Sequence, residues 1–237
     1  LTVADTWNYR VADFALDGAQ AVFVNSWGTP YQAGAAAEVM PTDGFWGPRD
    51  VAVDAAGNIY VSDTGNKRGR GDDANGQYLR DIGAAGAALG QLDEPAGLAI
   101  SADGRLFVAD TWNRRVSVFS LDGTPLYTFP VRGWYEDQGN RPYLAVDSAR
   151  NIIYVGDPDA GRVLVYDLQG GCVGSFGQPT DGIGDLSQFN VVSGIWVDAA
   201  GSVYVADSGA NRVLKFDPFV TEPVAPAAPE TTAEAVG

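Results

Sequence analysis

The sequence is poor in the residues that carry out much of protein chemistry. It has no histidine, one cysteine and six glutamates among 237 residues. Without imidazole, a histidine zinc site, a histidine general base and a Ser-His or Cys-His nucleophile pair are excluded. Cys172 has no partner for an internal disulfide. No run of about 18 apolar residues occurs, so we expect no direct membrane insertion.

Charge and composition restrict the fold and the partners further. Thirty acidic and fifteen basic residues give a net charge of -15, which repels a phosphate backbone, so no nucleic-acid partner is expected. Of the acidic residues, 24 are aspartates, which favour turns and strand ends over helix surfaces. Thirty glycines and the lack of long apolar stripes with a period of 3.6 residues predict an all-β protein with little helix.

One motif occurs five times along the chain. Its copies read VADTWNYR, VSDTGNKR, VADTWNRR, VGDPDAGR and VADSGANR, and their aspartates are 58, 47, 47 and 50 positions apart. Each complete unit holds four strand-sized segments joined by short turns, which predicts one antiparallel blade of a β-propeller. Neighbouring blades must pack on one another to bury their faces.

The repeat also sets the expected domain organisation. The propeller is predicted over residues 1–218, with incomplete first and last blades, and a Pro/Ala-rich disordered tail or linker over 219–237. Five units with two partial blades favour a six-bladed ring with upstream sequence missing. A five-bladed ring is the alternative.

The repeated pattern of an apolar strand ending in Asp, then Ser/Thr-x-Asn-x-Arg and an apolar third strand, resembles the NHL repeat over about residues 1–218. The fourth copy departs from it at Pro158 and Ala160. The resemblance implies a propeller fold. Members of that class include RNA binders, extracellular sensors, protein interaction modules and a histidine-dependent amidating lyase, and the last activity does not suit a chain without histidine.

The repeated Asp and Arg residues are predicted to be structural anchors, with Asp accepting hydrogen bonds from the following turn, Asn adopting the left-handed turn conformation and Arg bridging neighbouring carboxylates or carbonyls. In a four-stranded meander, the anchors lie on the same face as the loops between blades, which is the expected binding face. The anchor residues are Asp5, Arg10, Asp63, Arg68, Asp110, Arg115, Asp157, Arg162, Asp207 and Arg212.

Aromatic residues on that face are the candidate ligand contacts. Exposed rings among Asp, Asn and Arg suit a protein or carbohydrate partner, and the alternative is that the rings fill gaps between blades. The candidates are Trp7, Trp46, Trp112, Trp134, Tyr135 and Arg114.

The segment GRGDDANG departs from the other third strands. Gly69 and Asp72 replace a valine and an aromatic residue, so the sequence predicts a frayed or loosely paired strand. Arg70-Gly71-Asp72 is the tripeptide that integrins recognise, and recognition requires it to lie on an exposed loop. A calcium loop from Asp72, Asp73 and Asn75 is a further alternative, although it lacks the ligand spacing and closing glutamate of an EF-hand.

These features favour a non-catalytic binding module outside the cytoplasm or at a cell surface, without a cofactor. One alternative is a calcium-dependent hydrolase or lactonase with a carboxylate site in the central channel. Another is a structural spacer or assembly unit of a multidomain protein.

Overall fold

The computed structural model describes residues 1–30, 44–134 and 141–220. These residues form five antiparallel blades in chain order, as the repeats predict. Blades 2, 3 and 4 have four strands each, counted from the inner strand outward. Blade 1 has a second, third and outer strand, and blade 5 has an inner, second and third strand. The all-β propeller prediction is confirmed.

The strand bounds are as follows. Blade 1 comprises Thr2–Asp5, Arg10–Asp17 and Gln20–Trp27. Blade 2 comprises Pro48–Val53, Ile59–Asp63, Arg68–Asp72 and Tyr78–Ile82. Blade 3 comprises Pro95–Ile100, Arg105–Asp110, Arg115–Ser120 and Pro125–Pro130. Blade 4 comprises Leu144–Asp147, Ile152–Asp157, Arg162–Asp167 and Cys172–Phe176. Blade 5 comprises Val192–Val197, Val203–Asp207 and Arg212–Phe216.

Helix is scarce, as composition predicts. Within the described ranges the helices are single 3-10 turns at Thr6–Asn8, Thr64–Asn66 and Ser208–Ala210, and none is long or apolar enough to cross a membrane. Three loops between blades contain short parallel ladders that the sequence did not predict. They pair Thr29–Pro30 with Gly44–Phe45, Ala84–Ala85 with Gln91–Leu92, and Gln178–Pro179 with Gln188–Phe189.

The hydrophobic core lies between the blades. Alternate residues of a central strand face opposite neighbours, so Leu106 and Val108 pack toward blade 2 while Phe107 and Ala109 pack toward blade 4. Both faces of blades 3 and 4 are therefore apolar, which explains the mostly apolar character of their second and third strands.

The anchor aspartates connect each turn to the loop that enters the same blade. Asp63 Oδ1 accepts the Trp46 backbone N–H at 2.7 Å, and Oδ2 accepts the Asn66 Nδ2 and Arg68 Nε donors at 2.8 and 2.9 Å. Arg68 also donates to the Gly44 carbonyl. The same Asp–Arg pair forms in all five blades, at 2.7 to 3.0 Å.

Asn does not have the conformational role that the sequence analysis gave it in the first three anchors. The left-handed residue is the next one, at Tyr9, Lys67 and Arg114, whereas the preceding asparagine donates its side chain to the anchor carboxylate. In blade 5 the left-handed residue is Asn211. Asn therefore serves mainly as a hydrogen-bond donor.

The prediction that the third strand of blade 2 is frayed is wrong. Arg68–Asp72 pairs with both neighbouring strands and is completely buried. The missing valine is compensated by Ile82, whose Cβ lies 3.0 Å from where a Cβ on Gly69 would be. Since Arg70 and Asp72 are 1% and 0% exposed, the Arg-Gly-Asp tripeptide is not an exposed recognition loop.

A polar cluster adjoins the apolar contact between blades 1 and 2. Arg70 Nε donates to Asp72 Oδ1 at 2.7 Å, and the Trp27 indole N–H donates to Asp72 Oδ2 at 3.0 Å. The Arg70 guanidinium lies 4.5 Å from the centre of the Phe45 ring. Asp72 is thus compensated by hydrogen bonds and charge rather than by the hydrophobic contact of its sister residues.

The first residue beyond the predicted boundary at 218 contacts the propeller. Phe219 packs against blade 4, where its backbone N–H donates to the Tyr154 hydroxyl at 3.3 Å. The rest of the predicted tail, from 221 onward, lies outside the described residues.

The two end blades have exposed apolar faces. Val213 of blade 5 is 67% exposed, whereas the corresponding Val116 and Val163 are 0% exposed between blades. On blade 1, Phe23 is 55% exposed. These faces have the composition of the buried interfaces but lack their cover in the described part of the chain.

Asp110→Ala is expected to destabilise the fold by about 3 to 5 kcal/mol, because it removes one partner of a buried ion pair. Asp5→Ala is the matched control, since Asp5 and Arg10 are 29% and 42% exposed, and should cost less than about 1 kcal/mol. Urea denaturation of both variants measures the difference. Equal losses would contradict a role for the anchor that depends on burial.

Asp72→Leu and Arg70→Met are each expected to cost about 3 to 5 kcal/mol, because each strands a buried charge. The double variant should lose less than either single one, because no uncompensated charge remains. A double-mutant cycle from chemical denaturation tests this, and additive losses would show that the two residues act independently.

Candidate functional site: the mouth of the central channel

The turns that carry the anchors and the loops between blades share one face, as strand connectivity predicts. The Gly65 N–H donates to the Trp46 carbonyl at 2.9 Å, and the Trp112 N–H donates to the Asp93 carbonyl at 3.2 Å. Blade 5 repeats the contact between Ser208 and Val191 at 3.0 Å. We call this surface the anchor face.

The inner strands line a central cavity of about 330 Å³. The inner strands can be aligned by their pairing with the second strands. The residue before Val51, Leu98, Leu144 and Ile195 is Asp50, Gly97, Tyr143 and Gly194, respectively. This position therefore differs between blades, and it supplies one carboxylate and one phenol to the channel.

Asp50 connects the inner strands of blades 2 and 3. Its Oδ2 accepts the Leu98 N–H at 2.8 Å and its Oδ1 accepts the Val51 N–H at 2.9 Å. Burial nevertheless raises the pKa of Asp50 to about 6. Burial and the charge of Asp50 also raise the pKa of Tyr143, which Arg49 and Arg141 partly oppose.

Charged side chains gather where the channel opens on the anchor face. The Lys67 Nζ lies 2.8 Å from Asp93 Oδ1, and an Arg141 Nη2 lies 3.9 Å from Glu94 Oε2. Burial raises the pKa of Glu94, against the nearby positive charges of Arg141, Lys67 and Arg49. We call Arg49, Lys67, Asp93, Glu94 and Arg141 the mouth cluster.

A smaller cavity of about 210 Å³ lies beside this cluster and is called the mouth pocket. Trp7, Tyr9 and Trp46 supply its aromatic wall, and Arg49 and Glu94 supply opposite charges. The Arg49 guanidinium lies 5.8 Å from the centre of the Trp7 ring. Its Nε is buried and has no hydrogen-bond partner among the residues described.

Glu94 has a backbone conformation that favours glycine. Its φ is 48°, and the aligned residue of blade 2 is Gly47, whose φ is 66°. A left-handed conformation costs a non-glycine residue roughly 1 to 2 kcal/mol. Glu94 therefore places a carboxylate on this face at a position where blade 2 has a glycine.

The structure separates the predicted ligand contacts. Trp7 is 77% exposed, and Arg114 is also exposed. Trp112 is half-buried with Lys67 5.5 Å from its ring centre, and Trp46 is half-buried and stacked on Tyr9 at 4.9 Å.

Trp134 is not an exposed ligand contact, contrary to the expectation from the sequence. It is 2% exposed and its indole N–H donates to the Gly156 carbonyl at 2.8 Å, so it fills a gap between blades. Tyr135 lies outside the described residues. Arg49, Glu94 and Tyr143 were not predicted from the sequence, although variation between blades at and beside the inner strands could have indicated them.

The residues present do not fit the calcium sites considered from the sequence. Asp72 is paired with Arg70 and Trp27, and Asp73 accepts the N–H groups of Asn75 and Gln77 within a turn. The described channel lining offers Asp50 alone as a carboxylate. In the described ranges, no group of three or more His, Cys, Asp or Glu side chains is placed to hold a metal.

The fold and the anchor face together define a β-propeller in which the residues that differ between blades meet at one end of the channel. The family model "SMP-30/Gluconolactonase/LRE-like region" matches residues 33–184, which is more than half of the chain. The chain therefore belongs to the SMP-30/gluconolactonase/LRE-like family. No curated protein matches it at a significant level.

Solved structures support the fold alone, because their identities are low. A streptogramin B lyase matches with a TM-score of 0.58 at 13% identity, covering 92% of this chain and 64% of that one. A virginiamycin B lyase from Staphylococcus aureus gives 0.59 at 11% identity, covering 91% and 65%. A nidogen/laminin complex gives 0.55 at 18% identity, covering 73% and 61%. These are six-bladed propellers, and the chain spans less than two thirds of each matched structure.

Asp50→Asn is expected to reduce the dependence of stability on pH. The folded-state pKa of Asp50, about 6, exceeds the reference value of 3.8. Protonation of Asp50 therefore stabilises the folded state fully below pH 3.8, and this stabilisation is lost as pH rises through 6. Relative to the wild type, the variant should gain about 2 kcal/mol on going from pH 4 to pH 7. Urea denaturation at both pH values measures this, and a constant difference would contradict the raised pKa.

Proposed function

We propose that the chain is a non-catalytic binding module that engages its ligand at the mouth pocket on the anchor face. The observation that carries this proposal is the pocket itself, in which exposed Trp7 lies 5.8 Å from the Arg49 guanidinium and Glu94 supplies an opposite charge. Exposed aromatic and arginine side chains are also typical of binding hot spots.

Family membership raises a lactonase alternative, which the site residues do not favour. The described channel presents one carboxylate, whose two oxygens already accept backbone hydrogen bonds, and the described ranges contain no metal-ligand cluster. The resemblance to NHL repeats, some of which are interaction modules, supports the binding proposal. An extracytoplasmic or cell-surface location is part of the same proposal.

The matched variants Trp7→Ala/Arg49→Gln and Phe23→Ala test the binding proposal. Phe23 is an exposed aromatic residue of blade 1 outside the mouth pocket. Immobilised wild-type and variant chains would be compared, by quantitative mass spectrometry, for the macromolecules they retain from cell-surface and culture-medium extracts. We expect a set retained by wild type and Phe23→Ala and reduced at least tenfold by the double variant.

Thermal unfolding of each variant is the control, because an unfolded double variant would lose binding trivially. Retention that does not depend on Trp7 and Arg49 would contradict the assigned site. Hydrolysis of glucono-lactone by the wild-type chain, with or without added Ca²⁺, would contradict the non-catalytic assignment.

A further inference from the structure

The mouth pocket combines a hydrogen-bond donor with a hydrogen-bond acceptor. Arg49 can only donate, and ionised Glu94 can only accept. Both side chains line the pocket, so a ligand held between them meets a donor on one side and an acceptor on the other. Thr6 also lines the same pocket. A suitable ligand therefore both donates and accepts.

Charge favours a neutral ligand. A carboxylate would pair with Arg49 but would also enter a pocket lined by Glu94, and a cation would have the reverse problem. At long range, the net charge of -15 repels free anions. Hydroxyl groups avoid both difficulties, because each one can donate and accept without a net charge.

Shape favours a small ring with an apolar face. The Trp7 side chain is 77% exposed at the edge of the pocket, and Trp46 and Tyr9 stack at 4.9 Å in the same wall. The pocket volume of about 210 Å³ is below the roughly 300 to 1,000 Å³ of sites for drug-sized ligands. One ring with hydroxyl groups at its edge fits this space better than a long chain does.

We propose that the mouth pocket binds a neutral pyranose, such as a terminal glycan residue, by stacking its C–H face on Trp7 and placing its hydroxyl groups between Arg49 and Glu94. This inference rests on the binding function proposed above and names its ligand class. A ligand contact also accounts for the left-handed backbone of Glu94. Glycine, which stands at the aligned position 47, would adopt this conformation at lower cost but would supply no hydrogen-bond acceptor.

Saturation-transfer difference NMR with methyl glycosides tests the ligand class. The panel comprises methyl glycosides of glucose, galactose, mannose, fucose, xylose and N-acetylglucosamine, with D-glucuronate and N-acetyl-aspartate as anionic comparisons. We expect saturation transfer to the ring C–H protons of at least one neutral glycoside. Trp7→Ala should abolish it, Arg49→Gln should weaken binding at least tenfold, and Phe23→Ala should leave it unchanged.

Glu94→Gly separates a ligand contact from a structural role. Glycine suits the left-handed backbone, so we expect this variant to unfold at a temperature no lower than that of the wild type while it loses at least tenfold in glycoside affinity. A lower unfolding temperature together with unchanged glycoside affinity would show that Glu94 acts structurally, and would overturn its place in the proposed site.

The outcomes distinguish this inference from the broader one. Binding of the anionic probes alone would overturn the neutral ligand class, and so would a silent panel. If retention of a macromolecule still depended on Trp7 and Arg49, the binding function would stand with a protein surface as its ligand. If neither experiment gave a signal that depended on those residues, both proposals would fail.

Discussion

The fold depends on an aspartate that ends the second strand of every blade and that is buried in blades 2 to 5. Its carboxylate receives the arginine and, where the entering loop is described, that loop's backbone N–H groups, so the turn and the loop are fixed to one point. Burial raises the pKa of Asp63 and Asp110, whereas hydrogen bonds from Arg10 and Asn8 lower the pKa of the more exposed Asp5. The same contact therefore operates in different surroundings around the ring, and it gives the channel mouth a rigid frame.

The anchors position the site without forming part of it. They bind the loops through backbone groups, which leaves loop side chains such as Trp46 and Glu94 free to differ between blades. The mouth cluster and the mouth pocket are made from those differences. Regular contacts thus hold the backbone, and residues that differ between blades line the mouth pocket, an arrangement common for loops on a stable scaffold.

The repeat period and the anchors predicted the blades, their order and the face that the anchor turns share with the interblade loops, because these features recur and average over local exceptions. Side-chain environment was harder to predict. The third strand of blade 2 lacks the valine and the aromatic residue of the other third strands. Ile82 and the contacts of Asp72 with Arg70 and Trp27 compensate for them, and both Ile82 and Trp27 lie on other strands. Trp134 and Trp7 have similar local sequence signals, yet only packing decides that one is buried. Arg49 and Glu94 meet at the mouth pocket through the tertiary structure, which a single repeat cannot reveal.

The polar contact between blades 1 and 2 has a consequence for how the chain assembles. Near-identical repeats can dock on the wrong neighbour, and misassembly is a characteristic failure of such proteins. Most interfaces here are apolar and discriminate little between blades. Blade 2 differs, because packing it away from Trp27 and Phe45 would leave the Asp72 carboxylate and the Arg70 guanidinium without those contacts. That free-energy penalty favours packing of blade 2 against Trp27 of blade 1, so one charged pair helps to set the order of the blades.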